Sequence, residues 1–149
     1  GWLAVVDGRG RVRGGYKGEE DKHIIHLTSN NVSSEYLKFL QDNEIPYLIS
    51  GEERVDLEDI LIKLKSKLGI ENVLTSSGGK LSGALLRKGL LDEINIRFNP
   101  VLIGGTKTPS LFDSPELGEN EWPTKLEFIN IEVEQDGTFV VRYKVNYKS

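Results

Sequence analysis

Apolar residues recur along this chain with two different periods, and the changes between them divide it into elements. Trp2-Leu3-Ala4-Val5-Val6 is a continuous apolar run closed by Asp7-Gly8-Arg9-Gly10, the form of a buried strand followed by a loop. His23-Ile24-Ile25-His26-Leu27 predicts a second strand carrying two partly exposed histidines. The polar stretch Thr28-Ser29-Asn30-Asn31 then suits a helix entry, with Ser29 or Asn30 as the cap. Tyr36, Leu37, Phe39 and Leu40 give one apolar face to a helix from Ser33 to Gln41, which Asp42-Asn43 and Pro46 end before a strand at Pro46-Tyr47-Leu48-Ile49. Asp56 is placed to cap a helix whose Leu57, Ile60, Leu61, Leu64 and Leu68 recur at three- and four-residue intervals, and Gly69 supplies its exit. Asn72-Val73-Leu74 predicts a further strand, leading through Thr75-Ser76-Ser77-Gly78-Gly79 into a helix with Leu81, Ala84, Leu85 and Leu86 that ends near Gly89.

Strands alternating with helices predict a parallel sheet with helices packed across its faces. The period then changes. Glu93 to Phe98 alternates Ile94 and Ile96 with Asn95 and Arg97, while Leu126 to Val133 and Thr138 to Tyr147 flank Glu134-Gln135-Asp136-Gly137, a strong hairpin signal. The expected fold class is therefore α/β, with one mixed, mostly parallel sheet and a carboxyl-terminal antiparallel hairpin. Lys107 to Lys125 reads as a long loop.

Composition narrows the function. A chain of 149 residues suits one domain, residues 1–149. Its 23 acids and 19 bases are mixed along the sequence, so no basic face is available for a nucleic acid. No apolar run approaches the ~18 residues of a membrane span. With no cysteine and only two histidines, thiolate chemistry is excluded and no metal site is assigned. The chain also lacks methionine and begins inside an apolar run, so a missing amino-terminal section is expected.

The segment with most chemical promise is Thr75-Ser76-Ser77-Gly78-Gly79-Lys80-Leu81-Ser82. Between a strand and a helix, such a turn offers free amides and the positive end of the helix dipole to an anion. A glycine turn without a ligand has the same local pattern, and this one is neither a Walker loop nor G-x-G-x-x-G. Arg9, Arg11, Arg13 and Lys17 form a basic cluster that either meets a phosphorylated ligand or simply decorates a solvated turn. Glu52, Glu53, Asp56, Glu58 and Asp59 suit the start of a helix without any metal. Asp92-Glu93 points its two carboxyl groups to opposite faces, and no catalytic residue emerges from spacing.

Three blocks in order, Gly78 to Ile94, Asn99 to Gly105 and Thr108 to Phe112, resemble the carboxyl-terminal reductase domain of riboflavin-biosynthesis enzymes. The resemblance implies a dihydrofolate-reductase-like three-layer α/β/α fold, NADPH as hydride donor, a phosphorylated heterocycle as substrate, a homodimer and a cytoplasmic location. It places Ser77, Gly78, Gly79 and Leu81 at the cofactor and Ser76 at the substrate. It also sets Thr28 and Ser29 where such folds meet the adenosine 2′-phosphate. Pro100 to Gly105 corresponds to the family's proline, aliphatic, glycine strand end. The chain departs from the pattern at three positions: Ser76 stands for a glutamate, Ser77 for a glycine and Ser82 for an asparagine. The family's amino-terminal Ser-x-Asp-Gly strand is not among these residues. Two alternatives stay open, a reductase of another pterin-like or carbonyl substrate and a non-catalytic nucleotide-binding or dimerisation module.

Overall fold

Three parallel strands organise the first half of the chain in the order β1 (Trp2–Val6), β2 (His23–Thr28), β3 (Tyr47–Ile49). The computed structural model describes residues 1–13 and 22–147. Lys17 of the basic cluster lies outside the described residues. Ala4 pairs with Ile25 and Leu27 with Leu48, so β2 is bonded on both edges.

Period-two alternation on β2 separates two cores. Ile25 and Leu27 pack with Ile60 and Leu64 of helix α2 (Leu57–Leu68). On the opposite side, His26 bonds Tyr36 of helix α1 (Ser34–Asp42), which is buried with Val32, Leu40 and Ile45. The two helices thus cover opposite faces, giving this unit an α/β/α layering. Asp56 caps α2 through the amides of Glu58 and Asp59, and Gly69 closes it at φ 65°, both as the pattern predicts.

Two expectations change here. The cap of α1 is Ser33, whose hydroxyl accepts from the Tyr36 amide, not Ser29 or Asn30. His26 is not partly exposed. Its side chain is fully buried between β2 and α1 because it falls on the strand face that α1 covers, while His23 at the strand start remains exposed.

The chain divides into two compact units, Gly1–Val73 and Leu74–Ser149. In the second, helix α3 (Gly79–Arg87) precedes an antiparallel sheet of β4 (Glu93–Phe98), β5 (Lys125–Val133) and β6 (Phe139–Asn146) in the order β4-β6-β5. The hairpin turn closes through Glu134 N–H to Thr138 O and Gly137 N–H to Glu134 O, with Gly137 at φ 84°. A bulge at Ile129 shifts β5 between Phe128, which faces Tyr143, and Asn130, which faces Arg142. Ile94, Ile96 and Phe98 share one face with Phe139, Val141, Tyr143 and Val145, and the register adds Leu126, Phe128, Ile131 and Val133. The other face is polar, crossed by the ion pair Arg142–Glu93.

The parallel and antiparallel parts are those expected, but among the described residues they are two three-stranded sheets rather than one mixed sheet. Asn72 to Leu74 forms no strand, and Val73 is 54% and Leu74 90% exposed. Pro100 to Gly105 likewise forms no strand, and Leu102 is entirely exposed. Apolar character predicts the first of these strands and the resemblance implies the second; neither forms among the described residues.

Candidate cofactor site

The entry to α3 is built from small residues with little side-chain obstruction. Gly78 occupies the cap position in an extended conformation (φ −67°, ψ 169°), and no side chain caps the helix. A Cβ on Gly78 would meet nothing within 4 Å, so the backbone here is open to approach. Ser76, Ser77 and Gly78 are exposed and Leu81 half-buried. The Thr75 and Ser77 hydroxyls bond each other at 2.7 Å, and Ser82 Oγ donates to Ser77 O. These bonds hold the turn that carries the uncapped amides toward solvent, the requirement for an anion cradle.

Gly79 and Gly83 serve a different purpose. A Cβ on Gly79 would stand 2.3 Å from Ser110 O, and one on Gly83 2.5 Å from Asp113 O. The Asp113 amide donates to Gly79 O at 2.9 Å. These two glycines, one helical turn apart, therefore let the 110–113 segment lie directly on α3. Packing explains Gly79, whereas it does not explain Gly78. A cleft of about 780 Å³ elsewhere in this unit is lined by Leu86, Arg87, Leu117, Trp122, Lys125 and Tyr147 and includes none of the predicted site residues.

Thr28 and Ser29 lie in the first unit, at the carboxyl end of β2, and both are fully buried. Thr28 Oγ1 donates to Ser29 O at 3.0 Å, and Ser29 Oγ donates to Gly8 O at 2.7 Å while accepting from the Asn31 amide. Their hydroxyls hold the loop after β1 to the end of β2. The same loop is anchored by Asp7, whose Oδ2 accepts from the Val12 amide at 2.6 Å and from Tyr36 OH at 3.2 Å. Since the tyrosine donates to Asp7, its oxygen accepts from His26 Nδ1 at 2.7 Å, which places the proton on Nδ1. Burial holds the His26 pKa below the ordinary histidine value, against a smaller opposing pull from the Asp7 charge.

Sequence reasoning missed this Asp7–Tyr36–His26 chain because its members are 29 and 10 residues apart. The only local signal was an aspartate closing an apolar strand. The acids at Glu52 to Asp59 are accounted for in part by capping and pairing: Asp56 caps α2 and Asp59 pairs with Lys63 and Ser50. Among the described residues no group of three or more histidine, cysteine or acidic side chains is arranged to hold a metal, and no helix is long and apolar enough to cross a membrane.

Over 65 residues the chain is 38% identical to the 2,5-diamino-6-ribosylamino-4(3H)-pyrimidinone 5′-phosphate reductase of Archaeoglobus fulgidus, covering 44% of this chain and 29% of that protein. Its likeness to the reductase of the same name from Methanothermobacter thermautotrophicus is 31% over 80 residues, or 54% of this chain and 37% of that protein. The chain thus spans only 29% to 37% of these two relatives. Among solved structures, RibD of Acinetobacter baumannii superposes with a TM-score of 0.73 at 21% identity, over 96% of this chain and 37% of that one. A pyrimidine reductase-like protein of Corynebacterium diphtheriae does so with a TM-score of 0.67 at 18% identity, over 84% of this chain and 51% of that one. These superpositions establish the fold as α/β of the dihydrofolate-reductase type. The family described as RibD C-terminal domain matches residues 2–140. This chain belongs to the RibD C-terminal domain family.

Proposed function

We propose that this chain is part of a cytoplasmic NADPH-dependent reductase acting on a phosphorylated ribosylaminopyrimidine. The observation that carries the reading is the open, uncapped glycine entry to α3 in a chain of this family. The residues there fit a dinucleotide. Backbone amides after Gly78 are suited to a pyrophosphate, the bare Cα of Gly78 admits close approach, and Ser77 fixes the turn through Thr75. When bound, the nicotinamide supplies the hydride. Ser76 is assigned to the substrate side of the same turn, and Thr28 and Ser29 act by holding the loop after β1. The protein's own contribution is orientation and charge complementarity.

The reading includes a homodimer formed through the apolar face of the antiparallel sheet. Phe128, Ile131 and Val133 are 60%, 50% and 72% exposed there, more than a solvated sheet face ordinarily leaves open. A second copy presenting the same face would bury it.

The test is titration of the full-length protein with NADPH and NADH, followed by tryptophan fluorescence corrected for cofactor absorption. Saturable binding of NADPH, together with its oxidation on addition of the ribosylaminopyrimidine phosphate, is expected. Absence of binding by either nucleotide overturns the reading.

A further inference from the structure

We propose that the cleft at the carboxyl end of α3 is a binding site for a planar aromatic anion, with Trp122 against its ring and Lys125 and Arg87 meeting its charge. The cleft measures about 780 Å³ and lies where Leu86 and Arg87 of α3, the first residue of β5 and the last of β6 meet the segment 117–124. That size is in the range of small-molecule sites, about 300–1,000 Å³. It is separate from the glycine entry, because Gly79 and Arg87 stand at opposite ends of α3, about 12 Å apart at a rise of about 1.5 Å per residue. None of its lining residues belongs to the turn at 75–82, and the site stands whether or not the chain is a reductase.

Bonds within this unit fix the walls. Arg87 Nη2 donates to Pro115 O at 2.9 Å, which ties the segment to the end of the helix. The Gly118 amide donates to Glu121 Oε2 at 2.8 Å and the Glu121 amide to Gly118 O at 3.1 Å, closing the turn that leads into Trp122. On the side of the sheet, Tyr147 OH accepts from the Leu91 amide at 3.1 Å, and its ring lies 3.9 Å from where a Cβ on Gly89 would stand. The tyrosine is thereby held against the turn that follows α3.

Trp122 is 79% exposed although it lines this cleft with Leu86, Leu117 and Pro123. An indole that served packing would be mostly covered, and this one leaves most of its surface to a ligand ring. Charge selects an anion. Lys125 is exposed and makes no ion pair among the described residues, and Arg87 spends one of its five donor hydrogens on Pro115. Glu121, the one acid in the lining, already accepts from the Gly118 amide. An aromatic ring joined to an acidic group satisfies both features, the ring on the indole and the acid at the two cations.

Calorimetric titration of the full-length protein with naphthalene-2-sulfonate, in the presence of excess NADPH, tests the site. Saturable binding of one molecule per chain is expected, and Trp122→Ala should weaken it about tenfold, the scale of a lost stacking contact. Trp122→Phe, which keeps a ring, should retain part of the affinity. Lys125→Gln should lower the preference for naphthalene-2-sulfonate over uncharged naphthalene-2-methanol about fivefold, the scale of one solvated charge contact. Lys144→Gln removes an exposed lysine outside the cleft and should leave that preference as it is. Unchanged urea midpoints show that folding is not the cause. Wild-type protein without saturable binding overturns the inference, as does an affinity that Trp122→Ala leaves unchanged or a preference that Lys125→Gln leaves unchanged. Emission from Trp122, taken as the difference from Trp122→Phe, that acrylamide fails to quench also overturns it, since another segment or a second copy then fills the cleft.

Discussion

Replacing Tyr36 by phenylalanine isolates the hydroxyl that joins the helix α1 core to the loop after β1. The ring keeps its contacts with Gly10, Phe39 and Arg13, so packing is conserved while two hydrogen bonds disappear. His26 Nδ1–H loses its acceptor at 2.7 Å, and the Asp7 carboxylate loses a donor at 3.2 Å but keeps the Val12 amide. Each buried group left short of a partner costs about 1–3 kcal/mol, so a loss of about 2–4 kcal/mol is expected for the pair. With a urea dependence of about 1 kcal/mol/M for a unit this small, the midpoint should fall by roughly 2 M or more. Trp2 lies in β1 with its ring tilted against that of His23, the centroids 5.1 Å apart, so its fluorescence reports the first unit once Trp122 is replaced by phenylalanine. Tyr47→Phe is the matched control, since its hydroxyl only accepts from Gln41 Nε2 at the surface. A midpoint for Tyr36→Phe as close to wild type as that of the control refutes the reasoning.

Three further outcomes are expected. His26 is held below the ordinary value of 6.5 by burial, so the unfolded chain binds more protons in acid. Its contribution is fully present above pH 6.5 and is lost as pH falls toward the lower folded value, with a slope of at most about 1.4 kcal/mol per pH unit; urea midpoints across pH 5–7 that decline as steeply in His26→Gln as in wild type exclude it. Gly83→Ala sets about 1 kcal/mol of gained helix propensity against about 1–3 kcal/mol of overlap with Asp113. A net loss of stability and faster proteolysis of the 107–125 loop should follow, whereas a gain of the full propensity term would show that the segment moves aside freely. Phe128→Glu should convert a dimer to monomer in sedimentation velocity, and wild-type protein that sediments as a monomer contradicts the proposed apolar interface.

Local patterns in the sequence were sufficient where the physics is local. The three-residue reach from Asp56 to the Asp59 amide, the left-handed Gly69 and the Asp136-Gly137 turn depend on neighbours within one helical turn or one hairpin. The spacing of Ile60 and Leu64 therefore placed the apolar side of α2, and alternation on either side of Asp136-Gly137 placed β5 and β6. The glycine turn before α3 was legible in the same way, because an uncapped helix start is a property of adjacent backbone amides.

The remaining assignments depended on groups distant along the chain. Ser29 reads as a cap until Gly8 O, 21 residues away, takes its hydroxyl and leaves the capping to Ser33. His26 reads as a partly exposed strand histidine until α1 folds over its face of β2 and supplies Tyr36. Gly79 and Gly78 are alike in sequence, yet only the approach of Ser110 and Asp113 distinguishes a glycine kept for packing from one left open to a ligand. Val73, Leu74 and Leu102 carry the apolar character of strands, but a strand also needs a partner edge, and pairing is settled only in three dimensions. Periodicity and capping, which act over a few residues, were determined by the sequence itself. Burial, pairing and the meeting of the loop after β1 with the end of β2 were decided by tertiary structure, because each requires contacts whose partners no local pattern specifies.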